Sequence, residues 1–175
     1  MNIVRIIFLS LIFTLSCQGK PLPLPTVDYV DVEQYIGKWY AISALPQFFT
    51  RNCLAQTAEY EIINDETISV LNTCLKKKGK KTTINGKAVI INKESNAELI
   101  VTFDNFFTRL FNVKGDYNII KLDDLYDFVI VGTKDRSSLW IMSRNPTMPE
   151  EVLEEYIAFA QQLGYPTDKL IRSQF

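Results

Sequence analysis

The sequence predicts an all-β fold: an eight-stranded antiparallel up-and-down β-barrel with one C-terminal α-helix packed on its outside. Three observations predict it. Short segments rich in Ile, Val, Tyr, Phe and Thr follow one another from Lys38 to Arg144, turn residues separate them, and a helical repeat comes only afterwards. Most loops are short enough for hairpins, and eight antiparallel strands close into a barrel just wide enough for one small ligand.

Residues 1–16 predict an export signal. A single cation, Arg5, precedes an apolar run over residues 6–13. A helix needs about 20 apolar residues to cross a hydrocarbon core of roughly 30 Å, so this run is too short to span a bilayer. A short apolar run behind a positive charge is typical of a signal peptide, which is removed on export.

The end of this leader resembles a bacterial lipobox, in which a cysteine becomes the lipid-carrying N-terminus. Residues 13–17 carry the pattern, although Thr14 stands where the pattern prefers leucine. The resemblance predicts cleavage before Cys17 and lipidation of that cysteine. Ordinary secretion, with cleavage after Ser16 or Gly19, is the alternative.

Residues 17–29 predict a stiff tether. Pro21, Pro23 and Pro25 alternate with leucines, which favours an extended polyproline conformation of roughly 3 Å per residue. A disordered N-terminal arm fits the same pattern. Residues 30–175 are then predicted to form a single domain, because their number suits one hydrophobic core.

The eight predicted strands lie between turn signals. Asn64-Asp65, Lys78-Gly79 and Asp123-Asp124 are examples of such signals. The predicted strands are 38–46, 56–63, 67–73, 82–92, 97–103, 115–122, 126–133 and 137–144.

The pattern becomes helical after the last strand. Thr147 predicts a helix N-cap, with Glu150 completing a capping box and Pro149 in the first turn. Gly164 ends the repeat, and a last extended segment is expected over 171–175. The apolar positions of the repeat are Val152, Tyr156, Phe159, Ala160 and Leu163.

The composition of the chain argues against several classes of function. The net charge of −1 and the pI near 5.6 provide no electrostatic footprint for nucleic acid. The chain has no histidine, which removes the commonest general base, the usual proximal ligand of haem and the commonest zinc ligand. We therefore expect no catalytic residues, no metal site and no cofactor.

The three cysteines predict one disulfide. An exported chain with an odd number of cysteines leaves one without an intramolecular partner, and lipidation of Cys17 removes the oddness. Cys53 and Cys74 can then pair, which would stabilise the fold by roughly 3 kcal/mol. Two separate buried thiols are the alternative.

Two motifs resemble the signature of the lipocalin family. The first motif, Gly37-Lys38-Trp39-Tyr40, follows the leader. The second motif lies near the end of the strand-rich region and reads Trp140-Ile141-Met142-Ser143-Arg144. The resemblance implies that Gly37 opens the first strand, that Trp39 plugs the closed end of the barrel, and that Arg144 lies across the indole ring. A cation over an indole contributes roughly 1–2 kcal/mol when partly desolvated.

The resemblance extends to the apolipoprotein D branch of lipocalins and looks closest to its bacterial outer-membrane members. The stretches Ala58-Glu59-Tyr60 and Val70-Leu71-Asn72 carry it, together with the Trp140 motif. It implies that Tyr60, Asn72 and Trp140 line the ligand. One stretch departs from the branch, 122–126, where the usual Thr-Asp-Tyr is absent, so the turn after the sixth strand can differ in length.

Strand alternation adds further lining residues. Met142 shares a face with Trp140 and Arg144, and Ser43 is predicted to share one with Trp39. Tyr117 is a third polar candidate. The aromatic stretch 103–111 either forms a wall of the cavity, with Phe103 the leading candidate, or packs as plain core.

Two loop features are also ambiguous. Phe48 and Phe49 are candidates for a lid over the open mouth. The run from Lys76 to Lys81 either attracts anionic headgroups or is a solvated turn that protects a strand edge.

The resemblance implies a non-enzymatic carrier of fatty acid or lysophospholipid, attached to the bacterial outer membrane through a lipid on Cys17. The sequence does not decide whether two copies form a homodimer. The alternatives are a secreted binder of a pigment, a retinoid-like compound or another hydrophobic molecule, and a lipocalin-fold enzyme. Such an enzyme, an isomerase or hydrolase, would use a cavity cysteine or carboxylates, and two free thiols in the oxidised protein would favour it.

Overall fold

The computed structural model of the chain describes residues 23–104 and 114–175. The predicted signal peptide 1–16, the predicted lipidation site Cys17 and the aromatic residues of 105–111 lie outside the described residues.

Eight antiparallel strands close into a barrel, as the sequence predicts. The first strand pairs with the second on one side and with the eighth on the other, which closes the sheet. A short ninth strand adds to the first. Both ends of each predicted strand lie within two residues of the ends of the corresponding observed strand. The strands are β1 Gly37–Ala44, β2 Ala55–Asn64, β3 Thr67–Leu75, β4 Lys81–Ile90, β5 Glu98–Phe103, β6 Lys114–Leu122, β7 Phe128–Gly132, β8 Leu139–Ser143 and β9 Ile171–Arg172.

The barrel has two unlike ends. A short helix, α1 (Val32–Tyr35), precedes β1 and lies with the β2–β3, β4–β5 and β6–β7 turns at what we call the closed end. The connections β1–β2, β3–β4 and β7–β8 lie at the other end, together with the end of β5 and the start of β6, and we call this end the mouth. Antiparallel order alone sorts the loops in this way, because each strand reverses direction.

α1 closes its end of the barrel through hydrogen bonds to neighbouring turns. The side chain of Asp31 accepts from the amides of Glu33 and Gln34 and so caps the helix. The amide of Val30 donates to the carbonyl of Ser95 at 2.8 Å, in the β4–β5 turn. The segment before β1 is therefore fixed across the barrel end.

The contacts of the barrel begin earlier than the boundary predicted at residue 30. Leu24 packs on the outer side of the barrel, and Val27 packs against residues of its interior. The amide of Val27 also donates to the carbonyl of Ile119 at 3.0 Å. The described end of the predicted tether thus lies on the barrel.

The C-terminal helix, α2 (Glu150–Gln162), packs on the outside as predicted, but its predicted capping box is wrong. Pro149 is the N-cap residue and no side chain caps the helix. The residue before a proline is disfavoured in the helical region, so Met148 cannot continue the helix back to Thr147. Within residues 23–104 and 114–175, no helix is both long and apolar enough to cross a membrane.

The apolar residues separate into two clusters, one on each side of the barrel wall. The outer cluster joins α2 to β6, β7 and β8, and it includes Leu153, which the helical repeat did not identify. The inner cluster lies inside the barrel. Its buried members are Val30, Tyr35, Trp39, Ala41, Ala58, Tyr60, Ile68, Val70, Ala88, Ile90, Ala97, Leu99, Val101, Ile119, Val129, Val131 and Met142.

A bulge in β1 changes one predicted orientation. The pairing of β1 with β8 shifts between Ala41 and Ser43, so Ser43 stands opposite Ile141, which belongs to the outer cluster. Residues directly opposite in a ladder share a face, so Ser43 points outward and not inward with Trp39. Its hydroxyl donates to the carbonyl of Ile171.

Candidate ligand-binding site

The floor of the barrel is built on Trp39 and Arg144. Trp39 is fully buried, and its indole N–H donates to the carbonyl of Tyr35 at 2.9 Å. The guanidinium carbon of Arg144 lies 3.9 Å from the centre of the indole ring, which is the contact that the sequence predicts. The cation therefore closes the barrel from outside, against the aromatic face.

Arg144 also joins three separate segments by hydrogen bonds. Its guanidinium donates to main-chain carbonyls of α1, of the start of β1 and of the β6–β7 turn, and burial lowers its pKa from the ordinary value. A planar fork with five donors suits this arrangement better than a lysine would. The accepting carbonyls belong to Gln34, Tyr35, Ile36, Lys38 and Tyr126.

The β6–β7 turn, where the sequence departs from the apolipoprotein D branch, contributes to this floor. The carboxylate of Asp123 accepts from the amides of Leu125 and Phe128 and holds the turn. Tyr126 has a φ of 58°, in the left-handed region. That conformation accompanies two contacts, because the Tyr126 hydroxyl accepts from the amide of Asp31 at 2.9 Å and its carbonyl accepts from Arg144.

Three tyrosine hydroxyls form a chain above the floor. The hydroxyl of Tyr117 lies 2.7 Å from that of Tyr35 and 2.9 Å from that of Tyr60. Burial raises the pKa of Tyr60 to about 12 and raises the pKa values of Tyr35 and Tyr117 well above the usual range. All three are therefore neutral near pH 7 and act as hydrogen-bonding groups.

The six residues predicted to line a ligand all lie on the inner face of the barrel. Tyr60 and Met142 are buried in the inner cluster, and Phe103, Tyr117 and Trp140 pack against it. Asn72 stands opposite Ala58, an inner residue of β2, and so shares its face.

Exposure along the inner wall changes with height. Inner residues of the closed half, such as Ile90, Leu99 and Val129, are buried. Asn72 and Trp140, nearer the mouth, keep partial exposure. The floor is therefore packed, and Asn72 and Trp140 keep some solvent access nearer the mouth, where Val131 opposite Trp140 is fully buried. An apolar wall with a few polar side chains suits a site for an apolar ligand.

Gly86 makes room for Phe103 on this wall. A Cβ atom at residue 86 would lie 2.9 Å from a ring carbon of Phe103 and 2.5 Å from the carbonyl oxygen of Thr102. Both separations are too short for carbon, so a larger residue at 86 would displace β5 or the ring. The position of Phe103 thus depends on a glycine in the neighbouring strand.

The predicted disulfide is present between Cys53 and Cys74. It joins the β1–β2 connection to the end of β3 at the mouth, and neither sulfur is a free thiol. In residues 23–104 and 114–175, no three His, Cys, Asp or Glu side chains stand together in a way that could hold a metal ion.

Phe48 and Phe49 do not pack into the interior. They begin a 3-10 turn, Phe48–Thr50, in the β1–β2 connection, and their rings contact each other edge to face at 5.2 Å. Phe48 is 82% exposed and Phe49 is 62% exposed. Neither ring covers the inner cluster in this structure.

Three contributors to the site were missed by the sequence analysis: Tyr35, Tyr126 and Gly86. Tyr35 lies four residues before Trp39, and the spacing of a one-turn helix followed by a strand is not a pattern that periodicity detects. Gly86 sits within an alternating strand, where an isolated glycine is the one available signal of close approach.

Comparison with known proteins agrees with this geometry. The profile of a family described as a Lipocalin-like domain matches residues 30–174. Outer membrane lipoprotein Blc of Vibrio cholerae is 33% identical over 175 residues, covering 98% of this chain and 99% of that protein. Temperature-induced lipocalin-1 of Arabidopsis thaliana is 35% identical over 150 residues, covering 84% of this chain and 80% of that protein.

Solved structures share the architecture at lower identity. The insecticyanin structure from the tobacco hornworm Manduca sexta superposes with a TM-score of 0.68 at 18% identity. The superposition covers 90% of this chain and 87% of that one.

Proposed function

The chain belongs to the lipocalin family, and we propose that it is a non-enzymatic carrier that holds a fatty acid or lysophospholipid inside the barrel. The observation that carries the proposal is the form of the inner wall. It is apolar and packed at the floor, and it keeps partly exposed apolar and polar side chains toward the mouth. Family membership supports the same class of function, because lipocalins are generally binding proteins.

An acyl chain fits this wall by simple burial. Each buried methylene group contributes about 0.8 kcal/mol before the cost of ordering the ligand. A chain of ordinary length therefore needs no ion pair to bind at micromolar concentration. Trp140, Met142 and Phe103 supply apolar and aromatic surface for it.

The tyrosine chain supports a ligand that has a hydrogen-bond acceptor. Its two hydrogen bonds use two of the three hydroxyl protons. Among the described residues these hydroxyls form no other hydrogen bond, so one O–H is available to donate to a ligand. A carboxylate or ester oxygen accepts such a bond, and Asn72 is a second polar contact on the same inner face.

We further propose that Cys17 carries a lipid and attaches the protein to the outer membrane. The leader and its lipobox-like end support this proposal, as does the similarity to proteins named outer membrane lipoproteins. Secretion without a lipid is the alternative, and mass spectrometry of the mature N-terminus distinguishes the two. The proposal requires one barrel only, so a homodimer would be an addition to it.

A pigment or retinoid-like compound would satisfy the same burial arithmetic, and the experiment below separates it from an acyl lipid. The enzyme alternative has little support. Its cysteine route needs a free cavity thiol, and Cys53 and Cys74 are bonded to each other.

The test is mass spectrometry of the organic extract from protein purified without detergent, compared with Trp140→Ala and Tyr60→Ala variants. The matched control is Tyr29→Ala, because Tyr29 is exposed. We expect an acyl lipid in the parent and the control and at least a tenfold lower content in the two interior variants, checked for folding by circular dichroism. A parent that is empty and ignores added fatty acid and lysophospholipid would contradict the proposal.

A further inference from the structure

We propose that the mouth of the barrel docks onto an anionic phospholipid surface. Phe48 and Phe49 would enter the interface and the lysine turn, residues 76–81, would lie on the headgroups. The docking requires neither a lipid on Cys17 nor a particular ligand in the barrel. It assigns an interaction surface that the carrier proposal leaves open, including which end of the barrel faces the membrane.

The two phenylalanines have the form of a membrane anchor. Both rings are mostly exposed, and they contact each other edge to face. Large exposed aromatic pairs are uncommon on a soluble surface and mark sites that meet another apolar phase or a partner. The short helical turn Phe48–Thr50 presents both of them beyond the end of β1.

The lysine turn supplies the charge complementarity. Lys76, Lys77, Lys78, Lys80 and Lys81 surround a 3-10 turn between β3 and β4. Lys77, Lys78, Lys80 and Lys81 are exposed. Among the described residues, none of the five forms an ion pair. Basic clusters of this size near a bilayer are attracted to anionic lipids, with each cation contributing separately.

The aromatic pair and the lysine turn are held on one platform. The disulfide Cys53–Cys74 and the hydrogen bond from the Leu54 amide to the Leu75 carbonyl at 2.7 Å fix the β1–β2 connection to the end of β3. Lys76 directly follows that strand. On the other side, the side-chain amide of Gln47 donates from Nε2 to the carbonyl of Ser137 at 3.0 Å, in the β7–β8 connection.

The closed end has the opposite charge, which gives the docking a direction. The described mouth connections carry seven cations, Arg51, Lys76, Lys77, Lys78, Lys80, Lys134 and Arg136, against the carboxylates Asp104 and Asp135. The closed end carries eight carboxylates, Asp31, Glu33, Asp65, Glu66, Glu94, Asp123, Asp124 and Asp127, against the cations Lys93 and Arg144. An anionic surface attracts the first end and repels the second.

The closed end also exposes apolar side chains, but carboxylates surround them. Ile62, Ile63 and Leu125 are exposed there, Leu125 at 80%. Leu125 directly follows Asp123 and Asp124. Both ends expose apolar side chains, so the difference in charge determines which end docks.

The test is flotation of the protein with vesicles of phosphatidylcholine alone or phosphatidylcholine with phosphatidylglycerol. Every protein carries Cys17→Ser, so that no acyl chain on residue 17 contributes. One variant combines Lys76→Gln, Lys77→Gln, Lys78→Gln and Lys80→Gln, and another combines Phe48→Ser with Phe49→Ser. The matched controls at the closed end are Lys93→Gln and Leu125→Ser.

We expect the parent to bind the phosphatidylglycerol vesicles at least tenfold more tightly than the neutral ones, with binding that weakens as salt rises. The lysine variant should lose at least tenfold and the phenylalanine variant about tenfold, while both controls bind like the parent. A parent that does not float, or controls that weaken binding as much as the mouth variants, would overturn the docking.

Two further readouts keep the result specific. Sedimentation without vesicles shows whether the mouth variants change self-association, in which case the surface is an interface between two copies and the proposal fails. Lipid extraction from the same variants separates this proposal from the carrier proposal. A protein that retains acyl lipid but ignores vesicles contradicts the docking alone.

Discussion

The two ends of the barrel are built by different physical means. At the closed end, Arg144 covers Trp39 and binds five carbonyls, and three tyrosines fill the space above. The guanidinium and each of the three tyrosine hydroxyls there take part in hydrogen bonds within the protein. At the mouth, two phenylalanines and four lysines face solvent, and a disulfide fixes the loops.

This contrast assigns the stability of the fold to the closed end and the entry and release of a ligand to the mouth. A closed end with satisfied hydrogen bonds resists local opening, because any opening strands buried donors and acceptors. The mouth connections are also hydrogen-bonded, but many of these bonds lie at exposed groups, such as those of Asp135 with Thr133 and Ser137, and a disulfide fixes the β1–β2 connection. The mouth can therefore admit a ligand without unfolding the floor. Changes at the closed end should therefore reduce stability most, and changes at the mouth should affect binding first.

The largest effect is expected for Arg144→Met. The variant removes the cation over Trp39 and leaves several carbonyls without their donor, so the free energy of unfolding should fall by roughly 4 kcal/mol. Urea denaturation followed by tryptophan fluorescence measures it. Arg144→Lys is the matched control, which keeps the charge but not the planar fork, and it should recover only part of the loss. Equal stability of parent and Arg144→Met would show that the floor is not the stabilising end.

The disulfide comes next. Replacing Cys53 and Cys74 together by serine should lower the free energy of unfolding by roughly 3 kcal/mol, because the unfolded chain regains the freedom of a closed loop. The local loosening should lie at the mouth, so hydrogen exchange should increase more in the β1–β2 connection than in α1. Faster exchange at the closed end instead would contradict the separation of the two ends.

A smaller loss is expected for Tyr117→Phe. The variant deletes both hydrogen bonds of the tyrosine chain and leaves two buried hydroxyls unpaired, which costs roughly 2 kcal/mol. Thermal denaturation of this variant beside Tyr29→Phe, an exposed control, measures the difference. Equal melting temperatures for the two variants would show that the chain contributes nothing to the floor.

The smallest expected effect is a pH dependence of the free energy of unfolding. The pKa of Tyr60 is raised to about 12 in the fold, from an ordinary 10.0, so its stabilising contribution is complete below pH 10 and declines as pH rises toward 12. Between about pH 10.5 and 11.5 the decline attributable to Tyr60 should be roughly 1 kcal/mol. Urea titrations at these pH values should show a shallower decline for Tyr60→Phe than for the parent. Identical slopes would mean that Tyr60 titrates normally.

Much of the architecture could be predicted from the sequence because it depends on local repeats. Alternation located all eight strands, and the Trp39 and Arg144 motifs located the contact between them. The Cys53–Cys74 disulfide followed from counting exported cysteines.

The predictions failed where the structure depends on non-local partners. The bulge that turns Ser43 outward is set by the register of β8, which lies about a hundred residues away. Tyr35 joins the tyrosine chain through Tyr117, a contact between distant strands. The absent Thr147 cap is different, since Pro149 already disfavours a helix before it, and closer attention to that local rule would have predicted the start of α2.

The chain has two tryptophans, one in the floor and one on the inner wall nearer the mouth, and they test the central claim directly. Protein would be titrated with a brominated fatty acid, whose bromine quenches an indole on contact, in the parent and in Trp140→Phe. We predict saturable quenching in the parent and little quenching in the variant, whose remaining indole, Trp39, lies beneath the packed floor. Equal quenching in both proteins, or none in either, would contradict a ligand held above a closed floor.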